Sequence, residues 1–192
     1  MPICDNLKAM GFQTTGAASD YFSVSAERVL KLPVSMSWEH GAMVEPLAVG
    51  VHALKRGGDI RGKKVIVLGA GPIGNLAAQA AKGIGAQHVM ITDFSEYRLE
   101  IVEKCGIDSC VNVASQDLTA EMMKAFGPDR ADLILECVGT NATIDQAVEN
   151  ARKGSDIIVV GVFEEKASVN MGLVQDRELR IIGTLRVRPE SS

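Results

Sequence analysis

The chain has 192 residues, of which 46% are hydrophobic and 23% charged, and its formal net charge is −4. This length is enough for one ordinary domain and a remnant of another, but not for two full domains. The lack of a basic block, an aromatic content of 4% and the absence of long unbroken apolar stretches give no indication of a nucleic-acid surface, a membrane span or a secretion signal.

Residues 1–35 are predicted to be the tail of a preceding domain. Within them, residues 11–25 contain turn residues followed by an alternating pattern, which predicts one or two strands with no partner nearby in sequence. Leu32 and Pro33 end this segment and are typical of a linker.

Residues Ser37 to Arg56 are predicted to be helical, with Ser37 as the N-cap. Pro46 interrupts the pattern, so we expect a break or a new helix at that point. Glu45 then lies at a helix start. From the spacing alone, a first-turn acid that the helix dipole stabilises is favoured over a site residue.

Residues 64–93 are predicted to form a strand, a tight turn, a helix and a second strand that ends in an acid. The apolar run Val65–Leu68 has strand length, and a helical repeat of apolar residues follows it as far as Gly85. Between them stand three glycines with G-x-G-x-x-G spacing, Gly69, Gly71 and Gly74. A second apolar run, Val89–Ile91, ends two residues before Asp93. This is the context that a dinucleotide fingerprint requires.

Each part of this pattern has a physical reason. Gly69 permits the turn, Gly71 lets backbone approach a pyrophosphate, and Gly74 lets the helix lie close to the sheet. Pro72 is suited to the first helical turn, where its missing N–H is not needed. A carboxylate at Asp93 can bind both ribose hydroxyls and would repel a 2′-phosphate, which predicts NAD rather than NADP. A glycine-rich turn of another doubly wound protein, such as a methyltransferase, is the alternative.

The rest of the chain repeats the alternation of strands and helices. Helices are predicted from Ser95 to about Lys104, over Leu118–Phe126 and over Thr143–Arg152, and strands over Ser109–Val113, Asp132–Cys137, Asp156–Val162 and Arg180–Leu185. The expected fold is α/β, a doubly wound (Rossmann) parallel sheet of six strands in the order 3-2-1-4-5-6, over residues 36–186. Ligands would bind at the carboxyl ends of strands one and four, near Val138, Val160, Gly161 and Val162. Residues 187–192 are expected to be a polar tail.

Several stretches together resemble the zinc-type medium-chain dehydrogenases, most closely the sorbitol (polyol) dehydrogenase branch. GAASDYFSVSAERVLKLP is similar to the end of that family's GroES-like catalytic domain, and GAMVEPLAVGVHALKRGGDIRGKKVIVLGAGPIG to the entry into its cofactor domain. TDFSEYRLEIVEKCGID, DLILECVGT and IIVVGV are similar to its later strand ends. The combination of E-P-L-x-V-G-x-H-A with G-A-G-P-I-G is more specific than either motif alone.

The resemblance implies an NAD-dependent oxidoreductase that transfers a hydride from a secondary alcohol to NAD+, with a catalytic zinc in the complete protein. It also implies roles for individual residues. At the cofactor, the pyrophosphate turn is matched by Gly71, Pro72, Ile73 and Gly74, and the positions at the adenosine ribose by Asp93 and Arg98. The positions at the nicotinamide carboxamide are matched by Val160 and Val162, and those near the nicotinamide and the substrate by Leu185 and Arg186. Glu45 matches an acid at the zinc, as a ligand or through the zinc-bound water.

The chain departs from the family pattern in the part that holds zinc. It has no His-Glu dipeptide and no lobe of four cysteines, and Cys4, His40, Glu45 and His52 have the spacing of no common zinc site. We therefore expect a chain that binds NAD without zinc and without turnover. The alternative is a non-enzymatic NAD-binding module, for example a truncated sensor or partner subunit.

Two further expectations concern the cellular compartment and the oligomeric state. The four cysteines contain no C-x-x-C pair, which favours a cytoplasmic protein with reduced thiols, and Cys105 and Cys110 are expected to be small core residues. An uncovered sixth strand, with Ile181 and Ile182, would be able to pair with a second copy. The family assembles through this domain, so a homodimer or a tetramer is expected.

Overall fold

The computed structural model describes residues 4–185, and its centre is a six-stranded sheet with strand order β3-β2-β1-β4-β5-β6. All neighbouring strands are parallel, which confirms the predicted fold class and strand order. The strands are β1 Lys64–Leu68, β2 His88–Asp93, β3 Ser109–Asn112, β4 Ala131–Glu136, β5 Ala151–Val159 and β6 Arg180–Gly183. The α-helices are α1 Trp38–Arg56, α2 Pro72–Ile84, α3 Glu96–Lys104, α4 Leu118–Phe126, α5 Asn141–Asn150 and α6 Met171–Asp176.

The central strand β1 explains why the sheet is covered on both faces. Successive side chains of a strand point to opposite faces, and the four residues from Val65 to Leu68 are all fully buried. Val65 and Val67 belong to one apolar cluster, and Ile66 and Leu68 to the other. Burial of each such side chain contributes about 2 kcal/mol, and a strand buried on both faces has to be apolar throughout.

Helix α1 differs from the sequence prediction, because it continues through Pro46 without a break. A proline inside a helix removes one hydrogen bond and costs about 3 kcal/mol. Packing against α2 offsets this penalty: Gly50 lies so close to α2 that a Cβ there would be 2.9 Å from the Cα of Ala77. The expected helix break was wrong, and Glu45 lies in the middle of α1 rather than in a first turn.

The strands expected within residues 11–25 are also absent from the described part of the chain. This region contains an isolated bridge between Met10 and Thr14, and a 3-10 turn, Ala26–Arg28, follows. Its large apolar side chains stay exposed, including Phe12 at 88% and Tyr21 at 94%. A strand needs a partner and a covered face to be stable, and the described residues offer this segment neither.

Strand β5 begins earlier than predicted, directly after α5. Ala151 pairs with Ala131 before the register shifts, so Lys153 and Gly154 form an irregularity inside the strand rather than its boundary. Gly154 has a φ of +76° and its N–H donates to the carbonyl of Arg177 at 2.7 Å. Strand β6 ends at Gly183 rather than Leu185, and the short helix α6 was not predicted. None of the helices described is both long enough and apolar enough to span a membrane.

Candidate functional site

The turn after β1 is built by two glycines that the fold itself requires. Gly69 has a φ of +98°, and a Cβ there would lie 2.6 Å from Cγ2 of Val138. A Cβ on Gly74 would lie 1.9 Å from the carbonyl oxygen of Gly69, so helix α2 rests directly on the turn. A larger residue at position 74 would displace backbone, and one at position 69 would be strained by the positive φ and would press on the side chain of Val138.

Gly71 is different, because nothing in the folded chain requires a glycine there. Its φ of −65° and ψ of 177° suit any residue, and a Cβ would meet no atom within 4 Å. Gly71 is the N-cap of α2 and has no side chain to cap it, while Pro72 occupies the first turn. The space in front of this helix start is therefore open to a group from outside the chain.

The backbone donors around Gly71 are open as well. Within residues 4–185, the N–H groups of Gly71, Ile73 and Gly74 have no hydrogen-bond acceptor. Helix α2 has 13 residues and no acidic side chain in its first turn, so none of its own side chains neutralises the positive end of its dipole. Unpaired N–H groups at the start of a helix form an anion site.

Asp93 lies beside this turn, as the last residue of β2, and is 6% exposed. Its Oδ2 accepts a hydrogen bond from the N–H of Ala70 and its Oδ1 from that of Ser95, both at 2.9 Å. Nη1 of Arg98 lies 3.4 Å from Oδ2, and the Arg98 side chain is half exposed. The structure thus brings together the predicted acid, the predicted basic residue and the glycine turn.

The sequence prediction overlooked Glu136, the last residue of β4, which is completely buried. Its Oε1 accepts hydrogen bonds from the N–H groups of Val138 at 2.9 Å and Gly139 at 2.8 Å. The hydroxyl of Thr143 in α5 donates to the same oxygen at 2.8 Å. The signal was present in DLILEC, where an acid ends an apolar strand run as Asp93 does.

A cleft of about 360 Å³ lies between the turn Val138–Asn141 and the segment Val162–Glu165. It brings together two predicted site residues, since Val138 and Val162 both line it and Val162 is 81% exposed. Val160 and Gly161 are half-buried behind it, and their N–H groups donate to the carbonyl oxygen of Glu136 at 2.8 and 2.9 Å. Leu185 follows β6 and is 60% exposed. Arg186 lies outside the described residues.

The candidate metal ligand Glu45 is exposed on α1. Among residues 4–185, no three His, Cys, Asp or Glu side chains come close enough to hold a metal ion. Two thiols are unsuited to a thiolate role for a separate reason. Burial raises the pKa of Cys110 to about 11, and burial together with the charge of Glu136 raises the pKa of Cys137.

Comparisons with known proteins agree with this geometry. The family model described as zinc-binding dehydrogenase matches residues 72–192. Sorbitol dehydrogenase 1 of Saccharomyces cerevisiae is 33% identical over 177 residues, which cover 89% of this chain and 50% of the yeast protein. The chain therefore spans about half the length of the curated relatives it matches.

Two similar solved structures contain a bound nicotinamide dinucleotide. A protein from Sinorhizobium meliloti 1021 bound to NADP has a TM-score of 0.90 and 28% identity, covering 97% of this chain and 56% of that one. A short chain alcohol dehydrogenase from Escherichia coli CFT073 complexed with NADH has a TM-score of 0.89 and 26% identity, covering 98% and 56%. Both nicotinamide dinucleotides thus occur among the similar structures.

Proposed function

The chain belongs to the zinc-binding dehydrogenase family, and on that premise we propose that it is the NAD-binding part of a polyol dehydrogenase. The reaction proposed for the complete protein is oxidation of a secondary alcohol of a polyol to a ketone. NAD+ supplies the hydride acceptor when it is bound. The similarity to sorbitol dehydrogenase 1 supports the class of substrate, and the turn after β1 supports the cofactor.

The observation that carries the proposal is the open space at Gly71. The fold tolerates a side chain there, so the glycine has no structural reason of its own. A pyrophosphate lying against the start of α2 provides one, because its oxygens have to approach the backbone N–H groups closely. In this proposal the N–H groups of Ile73 and Gly74 bind the phosphate oxygens.

Asp93 is the basis for proposing NAD rather than NADP. Its carboxylate already accepts hydrogen bonds from Ala70 and Ser95, so it is held beside the glycine turn in one orientation. A carboxylate there binds ribose hydroxyls and repels a 2′-phosphate. Arg98 is the opposing influence, since a guanidinium favours a phosphate, but it is directed at Asp93 itself.

The nicotinamide end is proposed to lie in the cleft between Val138 and Val162. The backbone of Val160 and Val162 would hold the carboxamide, and Leu185 and Arg186 would lie near the nicotinamide and the substrate. Glu45 is proposed to approach the zinc only in the complete protein. The residues described here do not fit a metal site by themselves, and no step is assigned to zinc.

We expect calorimetric titration of the chain to show binding of NADH and at least tenfold weaker binding of NADPH, about 1.4 kcal/mol. Gly71→Ala is expected to weaken NADH binding at least tenfold without lowering the thermal midpoint, because the new methyl group fills the pyrophosphate space and nothing else. Gly83→Ala, in the same helix and also in open space, is the matched control and should leave NADH binding unchanged. Unchanged NADH binding by Gly71→Ala would contradict the proposed site.

The chain alone is proposed to bind the cofactor without turnover. Incubation with sorbitol, NAD+ and Zn²⁺ should give no increase in absorbance at the wavelength where NADH absorbs. A rate proportional to the concentration of this chain would overturn that part of the proposal.

A homodimer or tetramer is proposed from the edge strand β6. Arg180 pairs with the buried Asp156 of β5 at 2.5 Å, which holds β6 in the sheet, while Ile181 is 39% exposed at the edge. Light scattering at tens of micromolar should give at least twice the monomer mass, and a monomer would count against the proposal.

A further inference from the structure

We propose that Glu136 is a positioning residue for the nicotinamide end of the cofactor, a role that rests on the proposed dinucleotide binding. It is the last residue of β4, at the edge of the sheet where the candidate site lies. No part of its side chain reaches solvent, so it acts through the backbone that it holds.

Glu136 connects three segments that meet at the cleft. Its Oε1 accepts the N–H groups of Val138 and Gly139 and the hydroxyl of Thr143, which ties the turn after β4 to helix α5. Its own carbonyl oxygen accepts the N–H groups of Val160 and Gly161, which ties the same residue to the end of β5. Both walls of the cleft are therefore joined at one residue.

Burial of the second carboxylate oxygen of Glu136 has a cost in free energy. Oε2 of Glu136 is buried and has no hydrogen-bond partner among residues 4–185, and a buried acceptor without a donor costs about 1–3 kcal/mol. It lies directly beneath Gly161, where a Cβ would be 2.7 Å from Oε2 and 2.4 Å from the nitrogen of Gly139. The carboxylate occupies a space that only glycine at position 161 leaves open.

Gly139 makes the same close contact from the opposite side. A Cβ on Gly139, whose φ is +89°, would lie 2.4 Å from the carbonyl oxygen of Val162. The two loops thus touch backbone to backbone, with Glu136 beneath them. Loss of the hydrogen bonds to its carboxylate would let the turn around Val138 shift relative to Val162, and the two walls would lose their fixed spacing.

The adenosine half of the site makes no hydrogen bond to the side chain of Glu136. Asp93 takes its hydrogen bonds from Ala70 and Ser95, and Gly71 borders open space. A change at Glu136 should therefore weaken the contribution of the nicotinamide and leave binding of the adenosine diphosphate part unchanged. A general loss of stability would weaken both parts together.

The experiment compares NADH with ADP-ribose, which lacks the nicotinamide, in calorimetric titrations of the full chain. The natural chain should bind NADH at least tenfold more tightly than ADP-ribose. Glu136→Leu, which keeps the bulk and removes the carboxylate acceptors but not the main-chain carbonyl, should reduce this ratio to about one with the affinity for ADP-ribose unchanged. Glu136→Gln keeps an acceptor at Oε1 and should restore most of the ratio.

Two further variants keep the test decisive if Glu136→Leu does not fold. Gly161→Ala leaves Glu136 in place but forces the loops apart, and it should also reduce the ratio. Asn150→Ala is the matched control, because Asn150 is buried with an Oδ1 that no described residue pairs yet precedes the opposite end of β5. It should lower the thermal midpoint and leave the ratio unchanged.

The outcomes separate the two proposals. Failure of the natural chain to bind either ligand contradicts the proposed function. Equal binding of NADH and ADP-ribose by the natural chain leaves dinucleotide binding intact and overturns the role of Glu136. A ratio that survives in both Glu136→Leu and Gly161→Ala, or affinities for both ligands that fall together, overturns it as well.

Discussion

The turn after β1 and the turn after β4 are alike in construction and opposite in what they leave available. Both follow neighbouring parallel strands, and each has a glycine with positive φ, Gly69 at +98° and Gly139 at +89°. Each leads into a helix, α2 or α5. Glycine content and a helix start therefore do not distinguish the two turns.

The difference lies in the backbone donors. In the first turn the N–H groups of Gly71, Ile73 and Gly74 have no acceptor within residues 4–185. In the second turn Glu136 takes the N–H groups of Val138 and Gly139, and a capping box between Thr140 and Thr143 closes the start of α5. In the second turn the N–H groups between β4 and α5 are thus taken, whereas in the first turn the donors of Gly71 and of the helix start face open space, which is why the pyrophosphate is proposed to bind there.

The largest effect is expected from Gly74→Ala, which disrupts the packing of helix α2 against the first turn. The new methyl group would lie 1.9 Å from the carbonyl oxygen of Gly69, and overpacking against backbone costs about 3 kcal/mol or more. Urea unfolding should show this loss in the free energy of unfolding. Gly83→Ala, in open space on the same helix, should instead gain up to about 1 kcal/mol. Equal stability of the two variants would show that α2 does not rest on the turn.

A smaller effect is expected from Thr140→Ala in the second turn. The hydroxyl of Thr140 accepts the N–H of Thr143, and loss of an N-cap costs about 1 kcal/mol. Urea unfolding should show this loss, while NADH binding should change less than in Gly71→Ala because the donors proposed to bind phosphate lie in the first turn. A larger loss of NADH affinity than in Gly71→Ala would indicate that the second turn, and not the first, binds the pyrophosphate.

The smallest effect is expected in thiol reactivity. Cys137, which lies in the second turn, should be modified slowly. Burial and the charge of Glu136 raise its pKa, and burial raises the pKa of Cys110 to about 11. A raised pKa leaves little of the reactive thiolate near neutral pH. Cys105 is exposed like Cys4, so its expected place in the core was wrong. At pH 8 an aromatic disulfide reagent should therefore modify these two thiols first, and a higher pH should accelerate Cys110. Rapid modification of Cys137 in the natural chain would mean that the second turn opens.

Local patterns predicted most of the sheet correctly. The run from β1 to Asp93 has its signals close together in sequence, and the structure places the acid beside the glycine turn as expected. The predictions failed where a distant element decided the outcome. Pro46 stays inside α1 because of α2, and residues 11–25 form no strand among the described residues because a partner strand is missing there.

Glu136 was overlooked for a similar reason. An acid at the end of an apolar run looks the same in sequence at β2 and at β4, yet Asp93 is connected to the first turn and Glu136 to the second. The partners of Glu136 include Thr143 and, through its carbonyl, Gly161. Its importance depends on how closely β5 approaches β4, which no local pattern contains.

The sequence by itself determined the order of the strands and the location of the candidate site. Alternating apolar runs and helical repeats allow few right-handed arrangements, and the order 3-2-1-4-5-6 brings the carboxyl ends of β1 and β4 together. Only the tertiary structure decided which backbone donors at that edge stay unpaired. A hydrogen bond joins groups according to their distance in space, and the acceptor that closes the second turn is placed by the packing of three separate segments.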